Sequence, residues 1–268
     1  NAARDDAETS LSPPLPPLSS TTGRILPRPA PARRARVPCP PQVKTITCGC
    51  GARLVPHLCG ALDCPRCGKA KGDERGQRVA DRLLRRRPGV PVVQVVATVP
   101  PELRELAADP ETWSRWRRAW HRALKRVYGE RTWGYTAMHP CGDKSPEKFA
   151  PHVNDLLVPS GRYFVDVNKL RAEWKRILGA DRDPEVHVSF CWEAGKVKHR
   201  ARYVSRAFPG WHWWLPNGSW WGSPDERPKL EVEEGAICPE CGERYVVEGP
   251  YPVSEQVWER VWGRDPDG

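Results

Sequence analysis

Between residues 91 and 192 the spacing of apolar residues switches repeatedly between a period of two and one near 3.6, and the order of the switches leaves few folds open. "PVVQVVATV" (91–99), bounded by prolines, reads as a buried strand. "PETWSRWRRAWHRALKRVYG" (110–129) reads as a helix with Trp113, Trp116, Trp120, Leu124 and Val127 on one stripe, closed by Gly129. "TWGYTAMH" (132–139) and "FAPHVNDLLVPSG" (149–161) follow as strands. "VDVNKLRAEWKRILG" is a helix with Val167, Leu170, Trp174 and Ile177 inward, and "PEVHVSFCW" is a fourth strand. The order β-α-β-β-α-β is the ferredoxin-like split pattern: an α+β fold, with an antiparallel sheet, helices on one face and an open face left for a ligand. Its first and third strands are central.

Cysteine usage sets the second constraint. Six of the ten cysteines lie between Cys39 and Cys67, and a further C-x-x-C stands at Cys238–Cys241. No apolar run approaches the roughly 18–20 residues of a membrane span, and no signal-peptide core is visible. The expectation is therefore a cytoplasmic chain that uses its thiols for metal and not for disulfides. "CGARLVPHLCGALDCPRCGK" points to Cys50, Cys59, Cys64 and Cys67 as four ligands for structural Zn²⁺. Cys39, Cys48, Cys238 and Cys241 make a second set that would tie the two ends of the chain together. Cys141 and Cys191 read as plain buried thiols.

Four segments follow. Residues 1–37, rich in Pro, Ser and Arg, read as a flexible tail, and 38–70 as a zinc-binding module. Residues 71–208 form the main domain, opened by the helix "DERGQRVADRLLRRR" and closed by the helix "GKVKHRARYVSRAF". Residues 209–268 hold the hairpin signal "GWHWWLPNGSWWG" around Asn217-Gly218, the C-x-x-C knuckle and a terminal helix "SEQVWERVW". We read the indoles of that hairpin as packing on the sheet, with stacking on bases as the alternative.

The chemistry is expected where two strands meet. His152 and Asn154 are two apart on the third strand and so share a face, with Leu156 beyond them. His139 ends the preceding strand and can lie beside them. Two imidazoles and an amide oxygen suit a divalent ion, Mn²⁺ or Mg²⁺, with positions left open for phosphate oxygens. In the last helix Val197, Ala201, Val204 and Phe208 form a buried stripe. Tyr203 falls on the flank of Lys196, His199 and Arg206, where cations would favour its phenolate. A net charge of +10 favours an anionic partner such as nucleic acid.

Taken together, the zinc knuckle, the Val-rich strand, "HPCGD", "PHVN" and "KVKHRARYVSR" resemble the HUH single-strand endonucleases, the rolling-circle replication initiators and related transposases. The likeness runs from about Cys50 to Phe208. In that family the strand motif is His–hydrophobic–His, and here Asn154 stands at the second His. The family's Tyr-x-x-Lys becomes "YVSR", with Arg206 in the basic position. The resemblance implies nicking and rejoining of single-stranded DNA at a replication origin through a 5′-phosphotyrosine on Tyr203, with Arg206 and His199 assisting. It also implies work alongside a host helicase. A rolling-circle transposase acting on element ends is the alternative within the same chemistry. A non-catalytic zinc DNA-binding protein is the alternative outside it.

Overall fold

A computed structural model describes residues 38–59, 61, 64–208, 211, 218–222 and 238–262. The tail at 1–37 and the Asn217 half of the expected hairpin lie outside the described residues. The elements are β1 (Gln42–Cys48), β2 (Gly51–Pro56), α1 (Gly68–Leu84), β3 (Val92–Thr98), a 3-10 turn at Pro101–Leu103 that leads into the short α2 (Arg104–Ala107), and α3 (Pro110–Tyr128). They continue with β4 (Trp133–His139), β5 (His152–Val158), α4 (Val167–Leu178), β6 (Val186–Cys191), α5 (Ala194–Val204), β7 (Gly218–Trp221), β8 (Val246–Pro252) and α6 (Glu255–Trp262).

The architecture is α+β with two antiparallel sheets. The larger has the order β6-β3-β5-β4-β7, so β3 and β5 are interior strands, and its neighbours all pair antiparallel. The helix boundaries follow local chemistry. Asp109 caps α3 by accepting from the Thr112 amide at 2.8 Å, Pro110 occupies its first turn, and Gly129 at φ +106° ends it. Asp166 caps α4 by accepting from the Asn168 amide at 2.9 Å, and Gly179 closes it in the left-handed region.

One face of the sheet carries α3 and α4. Trp113, Trp116, Trp120, Leu124, Leu170, Trp174 and Ile177 pack there on Val93, Val95, Ala97, Val153 and Leu157. Trp113, Trp120 and Trp174 are fully buried, and each such side chain contributes roughly 2–3 kcal/mol of hydrophobic stabilisation. The other face, expected to be open, is covered. Val79, Ala80 and Leu83 of α1 and Val197, Ala201 and Val204 of α5 pack on Val92, Leu156, Trp133 and Tyr135. The reason is in the start of α1, at Gly68, five residues earlier than the expected helix, which begins at Asp73. A Cβ on Gly76 would come within 2.7 Å of Arg202 Cα, and one on Gly72 within 2.9 Å of the Ala207 backbone nitrogen. Glycines one turn apart let α1 press onto the backbone of α5 at Arg202 and of the turn that follows it, and so seat α5 on the sheet.

The smaller sheet, β2-β1-β8, joins the cysteine-rich N-terminal segment to the C-terminal one, with Ile46 opposite both Arg53 and Val247. Arg66 clasps α6 onto this unit: its guanidinium donates to Glu255 at 2.7 and 2.9 Å and lies 5.4 Å from the Trp258 ring. β7, the described arm of the tryptophan-rich segment, is a fifth strand on β4 with Trp220 opposite Tyr135, so its indoles belong to the packing. Among the described residues no helix is long and apolar enough to cross a membrane.

Candidate active site and metal centres

Two cysteine tetrads could each hold a metal ion such as zinc. Cys39, Cys59, Cys64 and Cys67 form one, and Cys48, Cys50, Cys238 and Cys241 the other, with the four sulfurs of each set within 4.8 Å of one another. This exchanges Cys39 and Cys50 relative to the expected sets. The cause is the β1–β2 hairpin, which short mixed strands had hidden. Six residues of β1 separate Cys39 from Cys48, the last residue of that strand, and six residues of β2 separate Cys50 from Cys59. At about 3.3 Å per residue these pairs stand roughly 20 Å apart and cannot share an ion. The hairpin tip instead holds Cys48 and Cys50 together, and β8 beside β1 delivers the Cys238–Cys241 knuckle to it. Cys50 Sγ lies 3.9 Å from Cys238 Sγ, and Cys39 Sγ 3.3 Å from Cys67 Sγ.

Each tetrad has one thiol prepared for ionisation. Burial opposes the charged form of Cys64, but backbone hydrogen bonds from Cys39, Cys67 and Arg66 outweigh it and bring the thiol down to about 6. Backbone hydrogen bonds from Cys241 and Glu240 bring Cys238 down to about 6 as well. Burial pushes Cys39 and Cys67 up, and the hydrogen bond with Cys241 pushes Cys50 up. One thiolate per tetrad is the starting point a cation needs, after which its own charge ionises the others. Cys141 and Cys191 are buried and in no disulfide, as expected.

The third constellation lies on the α1–α5 face of the main sheet. His139 and His152 stand directly opposite in the β4–β5 register, with ring centroids 5.1 Å apart, and Asn154 is opposite Ala137. His139 and Asn154 are fully buried. His139 Nε2 lies 3.0 Å from the Val204 carbonyl and His152 Nδ1 lies 3.2 Å from the Ala150 carbonyl. A carbonyl only accepts, so each of those nitrogens carries the proton. The lone pairs therefore sit on His139 Nδ1 and His152 Nε2, the arrangement a backbone carbonyl gives a metal-ligating imidazole. Burial holds both histidines below the ordinary range and so keeps them neutral. His139 Nδ1 and both side-chain heteroatoms of Asn154 are buried without a hydrogen-bond partner. Two of these atoms, His139 Nδ1 and Asn154 Oδ1, carry lone pairs and fit a cation's donor set, since burying an unpartnered polar atom otherwise costs roughly 1–3 kcal/mol.

Tyr203 joins this group. Its ring centroid lies 5.5 Å from that of His139, and the phenol donates to Asp143 Oδ2 at 3.3 Å. Arg206 pairs with Asp143 and lies 4.5 Å over the Tyr203 ring. The expected flank of cations is reduced to that one residue. Lys196 pairs with Glu193, and His199 is exposed, with none of the described contacts joining it to the cluster. The phenol is correspondingly not made acidic. Burial raises its pKa, and Asp143 reinforces that against the opposing pull of Arg206. α5 ends at Val204 instead of running to Phe208, and the turn that follows lays Phe208 on His139 at 4.7 Å. Asp143, 60 residues from Tyr203, was not among the expected site residues; "HPCGD" held it, but nothing in its spacing tied it to α5.

A cleft of about 230 Å³ opens beside Tyr203, lined among others by Gly142, Asp143, Arg206, Phe208 and Trp211. Comparison of the chain with protein-family models, curated proteins and solved structures returns no match, so what can be said of its chemistry rests on this arrangement.

Proposed function

We propose that the chain nicks and rejoins single-stranded DNA as a metal-dependent tyrosine endonuclease of the HUH kind, initiating rolling-circle replication. The observation that carries this reading is the meeting of three elements: a phenol on α5 beside a histidine that faces a second histidine and an unpartnered amide across β4 and β5. The order β6-β3-β5-β4, with β7 added at one edge, agrees with a ferredoxin-like core for this domain.

His139, His152 and Asn154 would hold Mn²⁺ or Mg²⁺, which supplies positive charge to the non-bridging oxygens of the scissile phosphate. The Tyr203 oxygen attacks phosphorus in line, and the bond from phosphorus to the 3′ oxygen breaks. The products are a 5′-phosphotyrosine and a free 3′-hydroxyl. The phenol proton passes to Asp143, which already accepts its hydrogen bond, and the departing oxygen takes a proton from solvent. One phosphoester replaces another, so rejoining needs no ATP. Arg206, paired with Asp143, supplies a second positive charge beside the nucleophile. The two tetrads would be structural zinc sites. The +10 net charge would draw the strand in, with affinity falling steeply as salt rises.

Incubation of single-stranded origin DNA with the protein and Mn²⁺, resolved on a denaturing gel, tests the reading. A protein–DNA adduct should form with the natural chain and vanish in Tyr203→Phe. DNA binding without adduct under any metal would sink it and leave the non-catalytic zinc protein. A transposase would give the same adduct, formed on element ends.

A further inference from the structure

We propose that the cleft beside Tyr203 seats one unpaired nucleobase of the strand whose phosphate Tyr203 attacks. This rests on the function proposed above and adds to it a base-binding subsite. At about 230 Å³ the cleft is smaller than the roughly 300–1,000 Å³ of sites that take drug-sized molecules, which suits one planar ring system and little more. Its walls are built for such a ring. Phe208 and Trp211 are both aromatic, and Trp211 is fixed in place, donating from Nε1 to the Pro146 carbonyl at 3.1 Å and lying 5.8 Å from the Phe149 ring. Arg206 lies over Phe208 at 4.8 Å and over Tyr203 at 4.5 Å, which puts a cation in the cleft wall between an aromatic of the cleft and the nucleophile.

The cleft is joined to the nucleophile by shared residues. Arg206 and Asp143 line it, and the same two side chains contact Tyr203. A base held there therefore belongs to a nucleotide adjoining the attacked phosphate. Stacking gives affinity that tolerates many sequences, while Asp143 and Arg206 in the same lining supply an acceptor and donors that can discriminate among bases. Gly142 leaves one side open: a Cβ there would meet no atom within 4 Å. Its lack of a side chain keeps the space free without being required by the backbone.

The test uses the full chain carrying Tyr203→Phe, so that binding is read without cleavage, and a 20-nucleotide thymidine strand with 5-iodouracil substituted throughout. Irradiation should crosslink the strand to Trp211 or Phe208, mapped by mass spectrometry. Adding Gly142→Leu, which fills the cleft from its open side, should abolish that crosslink and weaken binding about ten-fold, within the range of one lost stacked base. Trp211→Ala should lose the part of the crosslink that maps to Trp211. Crosslinks only elsewhere, or unchanged affinity in the Gly142→Leu protein, would overturn the subsite while leaving adduct formation by the natural chain to stand. Failure to bind the strand at all would overturn the subsite, and an absent adduct with crosslinking intact would overturn only the nicking reaction.

Discussion

Asn154 and Asp155 are neighbours on β5 and point to opposite faces of the same sheet, and they are treated in opposite ways. Asp155 is fully buried among the tryptophans of the α3–α4 face, yet it is held: Trp120 Nε1 donates to it at 2.8 Å and the Thr136 hydroxyl donates to its other oxygen. Thr136 in turn meets His121 Nε2 at 2.9 Å, and His121 stacks on Trp221 at 4.7 Å. Asn154, just as buried, has neither amide atom partnered. The first is a polar group that the fold has satisfied for its own sake. The second is one that the fold leaves unsatisfied, on the face where two imidazole lone pairs and a phenol also converge. The difference teaches that burial alone does not mark a candidate site residue; a buried group left unpartnered where other lone pairs converge is the stronger sign.

The largest effect expected from this contrast is on pH dependence. Burial holds the Asp155 carboxyl up at about 7 against hydrogen bonds from Thr136 and Trp120 that pull it down. An unfolded aspartate loses its proton near 4, so the folded state loses stability as pH rises from about 4 to about 7, and the loss is complete above that. A rise of about three pKa units corresponds to about 4 kcal/mol. Asp155→Asn should therefore gain about 4 kcal/mol relative to the natural chain on going from pH 4 to pH 8, measured by urea unfolding of both proteins. A difference that does not change with pH would show that Asp155 is not held as described.

Asn154→Leu comes next. Removing two unpartnered amide atoms at similar volume should stabilise the fold by about 1–3 kcal/mol while ending metal-dependent adduct formation. Loss of stability instead would mean the amide has a partner within the protein and the two faces are alike. The smallest effect is expected from Thr136→Val at pH 5, where Asp155 is protonated: removing one hydroxyl from the satisfied network should cost about 1 kcal/mol in thermal or urea unfolding, with adduct formation retained.

Much of this could be read along the chain, and what could not has a common physical cause. Val93, Val95 and Ala97 alternate with period two, and the Trp113–Trp116–Trp120 stripe follows a helical period, so the elements and their order were legible. So was the pairing of His139 with His152, because a hairpin joins their strands. Long-range closure was not. The Gly68–Gly72–Gly76 spacing reads as poor helix, with the purpose of two of those glycines supplied by α5 more than a hundred residues later. Tyr203 shows its helical neighbours in sequence but not Asp143 or the degree of its burial, which together reverse the expected shift of its pKa. The exchange of Cys39 and Cys50 likewise follows from strand lengths that only the folded hairpin reveals.

The tetrad made of Cys48, Cys50, Cys238 and Cys241 has a consequence for how the chain is born. Cys50 and Cys238 are separated by 188 positions. At roughly 5–20 residues added per second, the early half of that site leaves the ribosome roughly 10–40 s before the late half exists. The other tetrad can capture its ion as soon as Cys67 emerges, and the larger sheet can assemble in between. The nascent protein thus carries two waiting thiols through the 188 positions that separate Cys50 from Cys238, and an ion filling this tetrad could close it only once translation had reached the knuckle.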